Sequence, residues 1–512
     1  MSAEEAEPEA EVVELADCER HTREARELFE QTLTYVTDAA RGSEIHAVER
    51  SVFARLLGIG LALLKLFLAK RGTGRAEAVR VGGGPDAKIV PYHSEKSINY
   101  VSIFGKLRIP RAYFWSETSG EGEILLDARL NLPERCYSYV LQELAELFAV
   151  DVAYEKVTAK LEKVLRVKLW KRPIELFVRE AGADVQAFYE QKAAPAPEKE
   201  GSILAVGLDG KGVPIRKDLE ERKRKKDRPQ QQKSDQEPPG AQAIEVSGDR
   251  QDKKRMMIVS AVYTTEAKQR TAEEIVRALV DKERTQDKRV DRNEPKNKRV
   301  RATFKGPGAA VAEVMRQVEQ RDPGKKRTRV ALVDGEKRLA RRNEFAGWTL
   351  VLDIMHVLDY LWDAGNALLG SGTGTLDAKP WVRAQLLLIL NGKVDAVIQT
   401  LRASIADMQL SSSRQEVIES VITYYTNNRD RMRYDDYLKR GLPIATGVVE
   451  SACGVLVGER ADKTRMRWIK PGAQSLLELR AVEQNGDWEE FSEWRIGAER
   501  ERLYATPLKA VG

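Results

Sequence analysis

Two short stretches of the same form constrain the fold more than any other feature of this chain. SILAVGLDGKGVPI (202–215) and TRVALVDGEKR (328–338) each run through apolar residues and then reach an Asp-Gly pair, at Asp209 and Asp334. Continuous apolar runs of this length are typical of buried strands in parallel sheets. Ligands of such sheets bind at the carboxyl ends of the strands, so the two aspartates are predicted to belong to one site.

Helices and strands alternate around Asp334. GAAVAEVMRQVEQ has helical spacing, TRVALVDG is a predicted strand, EKRLARRNEF is a short helix and WTLVLDIMH is a further strand. RMMIVSAVYT adds a strand before them. We therefore predict an α/β fold in which four strands share one mixed sheet, near residues 202–208, 256–263, 329–333 and 349–352.

A helical segment follows this alternation. Residues 357–440 show no strand-like run, which predicts a large all-helical insertion. GLPIATGVVESACGVLVGER then places Glu450 in the first turn of an apolar helix. A carboxylate on such a face is costly to bury unless a cation lies beside it. Glu450 is therefore a candidate third acid for the site of Asp209 and Asp334.

The N-terminal region is predicted to be mainly helical with a small β region. Residues 22–70 have helical spacing, and 100–115 alternate as strands do. Arg55 and Lys65 interrupt VFARLLGIGLALLKLFLAKR, leaving an apolar stretch shorter than the roughly 20 residues that a membrane span needs. We interpret this stretch as a buried helix.

A pair of helices with helix-turn-helix proportions is predicted between residues 137 and 185. The first covers 155–165, a break falls near Val167, and the second begins near Pro173. Four basic residues lie on or beside the second helix: Lys168, Lys171, Arg172 and Arg179. They suit a recognition helix in a DNA groove, and they suit equally a plain helical bundle with solvated basic side chains.

Composition excludes some classes of protein. The three cysteines and four histidines form no C-x-x-C or H-x-x-x-H pair, which argues against a zinc finger and a disulfide framework. The first residues are acidic where a secretory signal would be basic and then apolar, so a cytoplasmic protein is expected. Net charge is only +6. Two charged segments, 217–254 and 284–303, are predicted loops, and the second is basic enough to lie along phosphates or to be simply solvated.

Two strand-terminal aspartates and a glutamate on a late helix resemble DDE transposases with a ribonuclease-H-like catalytic domain. The chain is similar to the insertion-sequence transposases of the ISKra group in three blocks: GLDGKGVPIRK, then VALVDGEKR with VLDIMHVLDYLWDAGNAL, then the long segment from RMRYDDYLKR (431–440) to WEEFSEW (488–494). The last block is the longest and most specific. ERADKTRMRW departs from the pattern, because it lacks a glycine expected before Met-Arg-Trp.

The resemblance implies that Asp209, Asp334 and Glu450 hold two Mg²⁺ ions, with Mn²⁺ as a substitute. Asp353 and His356, in LDIMH, resemble a D-x-x-H element that lies outside the metal triad. Asp353 competes with Asp334 for the place of second ligand. We favour Asp334, because its strand comes first and Asp353 has the nearby histidine.

DNA is the partner that the resemblance implies, as element ends and as target, bound by a homo-oligomer in the bacterial cytoplasm at the nucleoid. Four basic residues after Glu450 are predicted to contact phosphates: Arg460, Lys463, Arg465 and Arg467. Trp468 is predicted to lie in the core more readily than to stack on a base. The helical insertion either clamps DNA or contacts a partner subunit.

The predicted function is binding of terminal inverted repeats, followed by strand cleavage and strand transfer through two metal ions. Two alternatives are a ribonuclease-H-like nuclease without strand transfer and a non-catalytic DNA-binding protein descended from a transposase. The predicted domains are an N-terminal helical and β region, a helix-turn-helix region, a catalytic core in two parts and the helical insertion between those parts: 1–130, 131–195, 196–356 with 441–512, and 357–440.

Overall fold

The protein is a mixed α/β chain that divides into two compact units. The computed structural model describes residues 11–13, 17–85, 87–117, 120–216, 254–281, 293–335, 343–370, 377–407, 410–462 and 468–511. One unit comprises Met1–Phe188 with Asp487–Gly512, and the other comprises Tyr189–Gly486. The predicted last part of the catalytic core, 441–512, is thus divided between the two units.

Two antiparallel helices, Cys18–Ala39 and Ile45–Arg71, open the first unit. The Nζ of Lys65 lies 3.0 Å from a carboxylate oxygen of Glu24. The guanidinium of Arg55 lies over the ring of Tyr35. These two contacts fix the register of the pair. The helical prediction for 22–70 is confirmed.

The prediction that the second helix is buried was wrong. Four of its residues are buried: Ala62, Lys65, Leu68 and Ala69. The helix packs through one side only, and much of its apolar surface faces outward. Of the helices in the described ranges, Ile45–Arg71 is long and apolar enough to cross a membrane by length and composition.

The sheet of the first unit has the order β1-β4-β3-β2-β11, with β5 paired to β4. The strands that were expected near 100–115 form a long antiparallel hairpin of β3 and β4. The last strand of the chain pairs with β2 in antiparallel fashion. The bounds are β1 Glu11–Val12, β2 Ala78–Val81, β3 Lys88–Ser102, β4 Gly105–Ser116, β5 Glu121–Glu123 and β11 Leu508–Val511.

The predicted helix-turn-helix pair is present in the described chain. The helix Tyr154–Leu165 ends at Arg166, which adopts a left-handed conformation with φ of 58°, and the next helix is Lys171–Gln191. A left-handed residue breaks the helix and lets the chain turn. The other helices of the first unit are Leu125–Leu130, Tyr139–Asp151 and Trp488–Tyr504.

The second unit is built on a five-stranded sheet of order β10-β9-β6-β7-β8. The first three strands along the chain, β6, β7 and β8, are antiparallel neighbours. β9 and β10 then add on the other side of β6, both parallel to it. The bounds are β6 Ile203–Pro214, β7 Lys254–Thr265, β8 Lys296–Thr303, β9 Thr328–Val333 and β10 Thr349–Leu352. The predicted mixed sheet is confirmed.

Two details of this sheet differ from the predictions. β6 does not end at Asp209: its pairing with β9 ends at Gly207, but its pairing with β7 continues to Pro214. The charged segment 284–303 is not all loop, because its last residues form β8. Arg301 is buried there, bonded to Glu478, with its guanidinium over the ring of Tyr189, so it is not placed to follow phosphates. The other predicted loop, 217–254, lies almost wholly outside the described residues.

Helices cover both faces of this sheet. Pro307–Arg321 packs on one face, around a core cluster that includes Leu204 and Val206. The predicted insertion covers the other face, and its described residues form helices joined by short turns, with no strand among them. The helices from β10 onward are Ile354–Leu369, Lys379–Leu390, Val394–Asp407, Ser412–Asn428 and Tyr434–Lys439.

The chain returns to the sheet after the insertion. The short helix Gly447–Ala452 carries Glu450, and it continues into a π-helix, Cys453–Asp462. The helix Lys470–Gln484 follows. Shorter elements of this unit are Pro197–Lys199, Ala272–Val276, Arg277–Asp281, Asn343–Phe345 and Arg429–Arg431.

Candidate metal centre

Three aspartates lie in one row across neighbouring strands. Asp209 and Asp334 each come two residues after the end of the pairing between β6 and β9, at Gly207 and Leu332. Asp353 follows β10, and its backbone N–H donates to the carbonyl of Val333, which precedes Asp334. Adjacent strands lie about 4.8 Å apart. The row therefore runs Asp353, Asp334, Asp209 across three parallel strands: it lies at the carboxyl ends of β10 and β9 and at the point where the parallel pairing of β6 ends.

All three aspartates belong to the same face of the sheet. Side chains alternate between faces along a strand, so residues two apart share a face. The residues that precede the aspartates at this spacing belong to the core cluster under the insertion: Ile203, Ala205, Val330, Leu332 and Val351. The alternation places the three carboxylates at the edge of that cluster, where the apolar core gives way to the strand ends.

The helix of Glu450 packs onto this face. A Cβ on Gly207 would lie 3.0 Å from a methyl carbon of Val449, so the absence of a side chain at Gly207 lets the helix approach the sheet. Glu450 follows Val449 directly and is exposed. The hydroxyl of Thr446 donates to a Glu450 oxygen at 2.7 Å. This bond holds the glutamate at the start of its helix, near the row of aspartates.

Asp353 lies next to Glu450, although we expected it to lie outside the site. Ligand atoms of Asp353, His356 and Glu450 are all within 4.8 Å of one another. Asp353 is fully buried, and its oxygens accept from the backbone N–H of Thr446 at 2.9 Å and of His356 at 3.3 Å. The second bond caps the helix Ile354–Leu369. Asp353 thus connects β10, that helix and the segment before Glu450.

Burial and charge act together on Asp353. Desolvation raises the pKa of its carboxyl group, and the charge of Glu450 raises that pKa further, against the opposing effect of the bond from Thr446. Two carboxylates held this close repel each other when both are ionised. A cation between them would relieve that repulsion.

Asp209 contacts the π-helix that follows Glu450. Its carboxylate accepts from the N–H of Gly210 at 2.6 Å and from the thiol of Cys453. Cys453 is buried, and desolvation together with Asp209 raises the pKa of its thiol. The neutral thiol therefore serves as a hydrogen-bond donor that orients Asp209.

Tyr424, a residue of the helical insertion, holds the backbone of Asp334. The hydroxyl of Tyr424 donates to the backbone carbonyl of Asp334 at 3.0 Å. Gly335 has a φ of +98°, and a Cβ there would lie 2.8 Å from the Tyr424 ring. The glycine is needed both for the backbone turn and for the close approach of the ring. The ring of Tyr424 in turn stacks on Tyr360, with centroids 4.0 Å apart.

The predicted triad of Asp209, Asp334 and Glu450 does not form a close group: among the described residues, the ligand atoms that lie within 4.8 Å of one another are those of Asp353, His356 and Glu450. Carboxylate oxygens from separate segments are the ligands that Mg²⁺ prefers. Asp353, His356 and Glu450 form the tighter group in this structure, and an imidazole nitrogen suits Zn²⁺ or Fe²⁺ as well as Mn²⁺. Asp353, however, already accepts two backbone hydrogen bonds, so its oxygens are engaged in holding the fold.

The basic residues predicted to bind DNA fall into two groups. Lys168, Lys171, Arg172 and Arg179 are all exposed on or before the helix Lys171–Gln191. Lys171 pairs with Glu155 of the preceding helix. Trp170, which sequence reasoning did not single out, is 59% exposed under the ammonium group of Lys168. The sequence signal that could have identified it is a tryptophan with a lysine on either side, in KLWK.

The second basic group is not placed as expected. Arg460 is 1% exposed and its guanidinium lies over the ring of Trp468, so it is part of the core and cannot contact phosphates from this position. Trp468 is also buried, which agrees with the preferred prediction for it. Lys463, Arg465 and Arg467 lie outside the described residues.

Comparison with known proteins adds no family to these observations. The sequence matches no family model, and no curated protein matches it either.

Proposed function

We propose that this chain is a DDE transposase, similar to those of the ISKra group, that cleaves and joins DNA strands with divalent cations. The observation that carries the proposal is the row of Asp209, Asp334 and Asp353 across three neighbouring parallel strands, with Glu450 beside Asp353. Neighbouring carboxylates repel each other in the absence of cations. Cations held by such carboxylates are what phosphodiester cleavage requires.

We further propose that the unit Tyr189–Gly486 has a ribonuclease-H-like fold. Three antiparallel strands followed by two strands parallel to the first support it. So does an all-helical insertion between the second and third acids of the triad. The resemblance in sequence implies a ribonuclease-H-like catalytic domain, and the residue pattern itself predicted the mixed sheet and the helical insertion.

We assign Asp209, Asp334 and Glu450 as the residues that hold the cations. A bound pair of Mg²⁺ ions supplies a more nucleophilic water or hydroxyl and stabilises the leaving oxygen. The protein's own part is to fix the carboxylates: Cys453 orients Asp209, Tyr424 holds the backbone of Asp334, and Thr446 orients Glu450.

Asp353 is proposed as a positioning residue. It joins Thr446 to the helix that starts after β10, and Thr446 holds Glu450. His356 lies beside Asp353 and Glu450. These three residues together form the alternative cation site.

The proposed partner is double-stranded DNA, as element ends and as target, bound in the bacterial cytoplasm by a homo-oligomer. The exposed Lys168, Arg172 and Arg179 beside a helix-turn-helix support reading of the terminal repeats by the first unit. Phosphate contacts would supply much of the affinity and make it depend on salt.

A cleavage assay on labelled duplex DNA carrying the element's terminal repeats, with Mg²⁺ or Mn²⁺, tests the catalytic assignment. We expect Asp209→Asn, Asp334→Asn and Glu450→Gln each to reduce cleavage more than about 100-fold, since loss of an outer partner alone costs roughly 10–100-fold. Asp353→Asn should fall within that smaller range. Glu416→Gln, at an exposed glutamate of the insertion, is the matched control and should leave cleavage unchanged.

The same assay distinguishes the alternatives. An Asp334→Asn variant that still cuts, together with an Asp353→Asn variant that does not, would move the second ligand to Asp353. Cleavage without joined products would show that the protein is a nuclease without strand transfer. Binding without cleavage under any divalent cation would show that it is a non-catalytic DNA-binding protein.

DNA recognition is tested on the same duplexes by a binding assay. Arg172→Ala and Arg179→Ala should weaken binding to the repeats and reduce its dependence on salt between roughly 50 and 200 mM, while the catalytic variants bind normally. Equal binding of wild type to unrelated DNA at every salt concentration would place recognition elsewhere.

A further inference from the structure

The segment between the two helices of the helix-turn-helix carries a large ring in contact with solvent. Of the eight tryptophans, all of which lie in the described ranges, Trp170 alone is exposed, at 59%. Each of the other seven is buried or half-buried. A tryptophan side chain offers roughly 150–250 Å² of contact surface, so an exposed one is a candidate contact with a partner.

The local chain holds this ring outward. Burial alternates along the five residues that separate the two helices. Val167 and Leu169 are buried, at 4% and 1% exposure. Arg166, Lys168 and Trp170 alternate with them and are exposed. The two buried side chains anchor the segment in the core, and the ring is therefore kept at a fixed place on the surface.

A cation lies over the ring. The ammonium group of Lys168 is 4.6 Å from the centroid of the Trp170 indole. Such a contact holds the ring in one orientation. A cation covers one face of a ring only, and the exposure of Trp170 leaves surface for a second contact. A flat ring with cations beside it is the arrangement that stacks on a nucleobase while the cations meet the neighbouring phosphates.

The surroundings of the ring are strongly basic. Residues 154–172 hold seven basic side chains and two acidic ones, a net charge of +5, whereas the whole chain has a net charge of only +6. All seven basic side chains are exposed: Lys156, Lys160, Lys163, Arg166, Lys168, Lys171 and Arg172. Positive charge concentrated in this way around one ring selects a polyanion as the partner.

A protein or a membrane matches this surface less well. Lysine is depleted in protein interfaces, whereas residues 154–172 hold five lysines. Insertion into a membrane surface needs a continuous apolar face. The large apolar side chains that residues 154–172 expose are Val164 and Trp170, and the others are buried or half-buried. A nucleic acid offers both phosphates for the lysines and flat rings for the indole.

The form of the nucleic acid follows from what an indole can reach. In an intact duplex both faces of each base are covered by the neighbouring base pairs. A base in an unpaired tail, at a strand end or turned out of the helix has an open face. We propose that Trp170 stacks on an unpaired base of DNA while the basic residues around it hold the flanking phosphates. This rests on the proposed function for DNA as the partner, and it is independent of the choice of metal ligands.

Binding of the full chain to labelled DNA, measured by fluorescence anisotropy without divalent cations, tests the stacking. One duplex carries a tail of unpaired thymidines. A second carries a tail of abasic nucleotides of the same length, which keeps the phosphates and removes the bases. Wild type should bind the thymidine tail about tenfold more tightly than the abasic tail. Trp170→Ala should bind the two tails equally, and Trp170→Phe should retain most of the preference, because its ring still stacks.

Salt dependence separates stacking from charge. Trp170→Ala should weaken binding to the thymidine tail by the same factor at every salt concentration between roughly 50 and 200 mM. Arg172→Ala should instead reduce the slope of log affinity against log salt concentration by about one. Phe29→Ala, at a 51% exposed ring on the first helix of the same unit, is the matched control and should change neither quantity. Circular dichroism confirms that each variant is folded.

The outcomes separate the stacking site from the proposed function. Equal affinity of wild type for the two tails overturns the stacking site and leaves cleavage of repeat DNA as proposed, and a preference that survives in Trp170→Ala does the same. Base-dependent binding through Trp170 in a chain that cuts no DNA would overturn the transposase and keep the stacking site.

Two further ligands complete the test. Tighter binding of a uridine tail of RNA than of the thymidine tail would assign the ring to RNA. Co-sedimentation with vesicles of anionic lipid that Trp170→Ala abolishes, and that tailed DNA does not displace, would assign it to a membrane surface. Either result overturns the proposal.

Discussion

The two ends of the five-stranded sheet both carry carboxylates, but they treat them differently. Near the start of β6 and β9, Glu200 pairs with Arg321 at 2.7 Å, and Asp322 accepts from Arg329. At the opposite end the acids have backbone amides, a hydroxyl and a thiol as hydrogen-bond donors, and Asp353 lies beside Glu450. The ion pairs at the first end stabilise the fold, whereas at the second end the carboxylates of Asp353 and Glu450 repel each other.

The pKa shifts follow this difference. Burial would raise the pKa of Glu200, but the bonds from Arg321, Thr264 and Asn297 lower it overall. For Asp353, burial and Glu450 together raise the pKa. A carboxyl group with a lowered pKa contributes stability at neutral pH, whereas one with a raised pKa reduces it. An acid at one end of these strands therefore stabilises the fold, whereas an acid at the other end does not.

The largest effect is expected at the paired end. Arg321→Met leaves Glu200 buried without its cation, and we expect a loss of about 3–5 kcal/mol in the free energy of unfolding. Urea denaturation measures it. Adding Glu200→Gln to the same chain should restore a substantial part, because the uncompensated charge is gone. Equal losses in the single and double variants would show that packing, not charge, holds this end.

A smaller effect is expected in the pH dependence of stability, with opposite sign at the two ends. Glu200 stabilises the folded state above the pKa that it has in the unfolded chain. That stabilisation is lost as pH falls through its lowered pKa in the folded state. The pKa of Asp353 is higher in the folded state than in the unfolded state. Asp353 therefore destabilises the folded state as pH rises from the lower pKa through the higher one. Relative to wild type, Glu200→Gln should therefore lose stability as pH rises through the lowered folded pKa to about 4.5, and Asp353→Asn should gain stability as pH rises from about 3.8.

Urea denaturation of the metal-free protein at several pH values measures these slopes. Parallel slopes for the two variants would contradict the comparison. Addition of Mg²⁺ at pH 7 should stabilise wild type and leave Asp334→Asn nearly unaffected, since a cation that binds only the folded state stabilises it.

The smallest effect is expected at Tyr424. Tyr424→Phe removes the bond to the backbone of Asp334 and should cost about 1 kcal/mol of stability, with at most a tenfold loss of cleavage. Tyr437→Phe is the matched control, because its hydroxyl donates to Leu350, farther from the strand end. Cleavage that falls equally in both variants would remove the distinction between holding the site and holding the fold.

Sequence predicted the parts of the site that depend on local pattern. Asp209 and Asp334 were predicted from apolar runs that meet an Asp-Gly pair, and the structure places both in one row. The position of Asp353 could not be predicted, because its contact with Thr446 depends on how the chain returns after the insertion. Assignment of the metal ligands stays a prediction.

The misplaced basic residues share one cause. Arg301 was expected in a solvated loop and Arg460 on a DNA surface, yet both are buried. Arg301 is compensated by Glu478, far away in sequence, and Arg460 lies against Trp468. A charged residue is buried only when its partner is brought to it, and a single sequence does not show that partner. The burial of the helix Ile45–Arg71 was mispredicted for the opposite reason, because an apolar sequence does not show what covers it.

The π-helix Cys453–Asp462 has a consequence for how genes of this lineage can change. A wider helical turn takes up one residue more than an α-helical turn. Deleting one codon there would let one turn relax to α-helical geometry, and the residues on either side would keep their places. Cys453 would stay near Asp209, and Arg460 would stay over Trp468. We therefore expect the loss of one residue to be tolerated better in this segment than in the regular helix Lys470–Gln484, where each later side chain would rotate by about 100°.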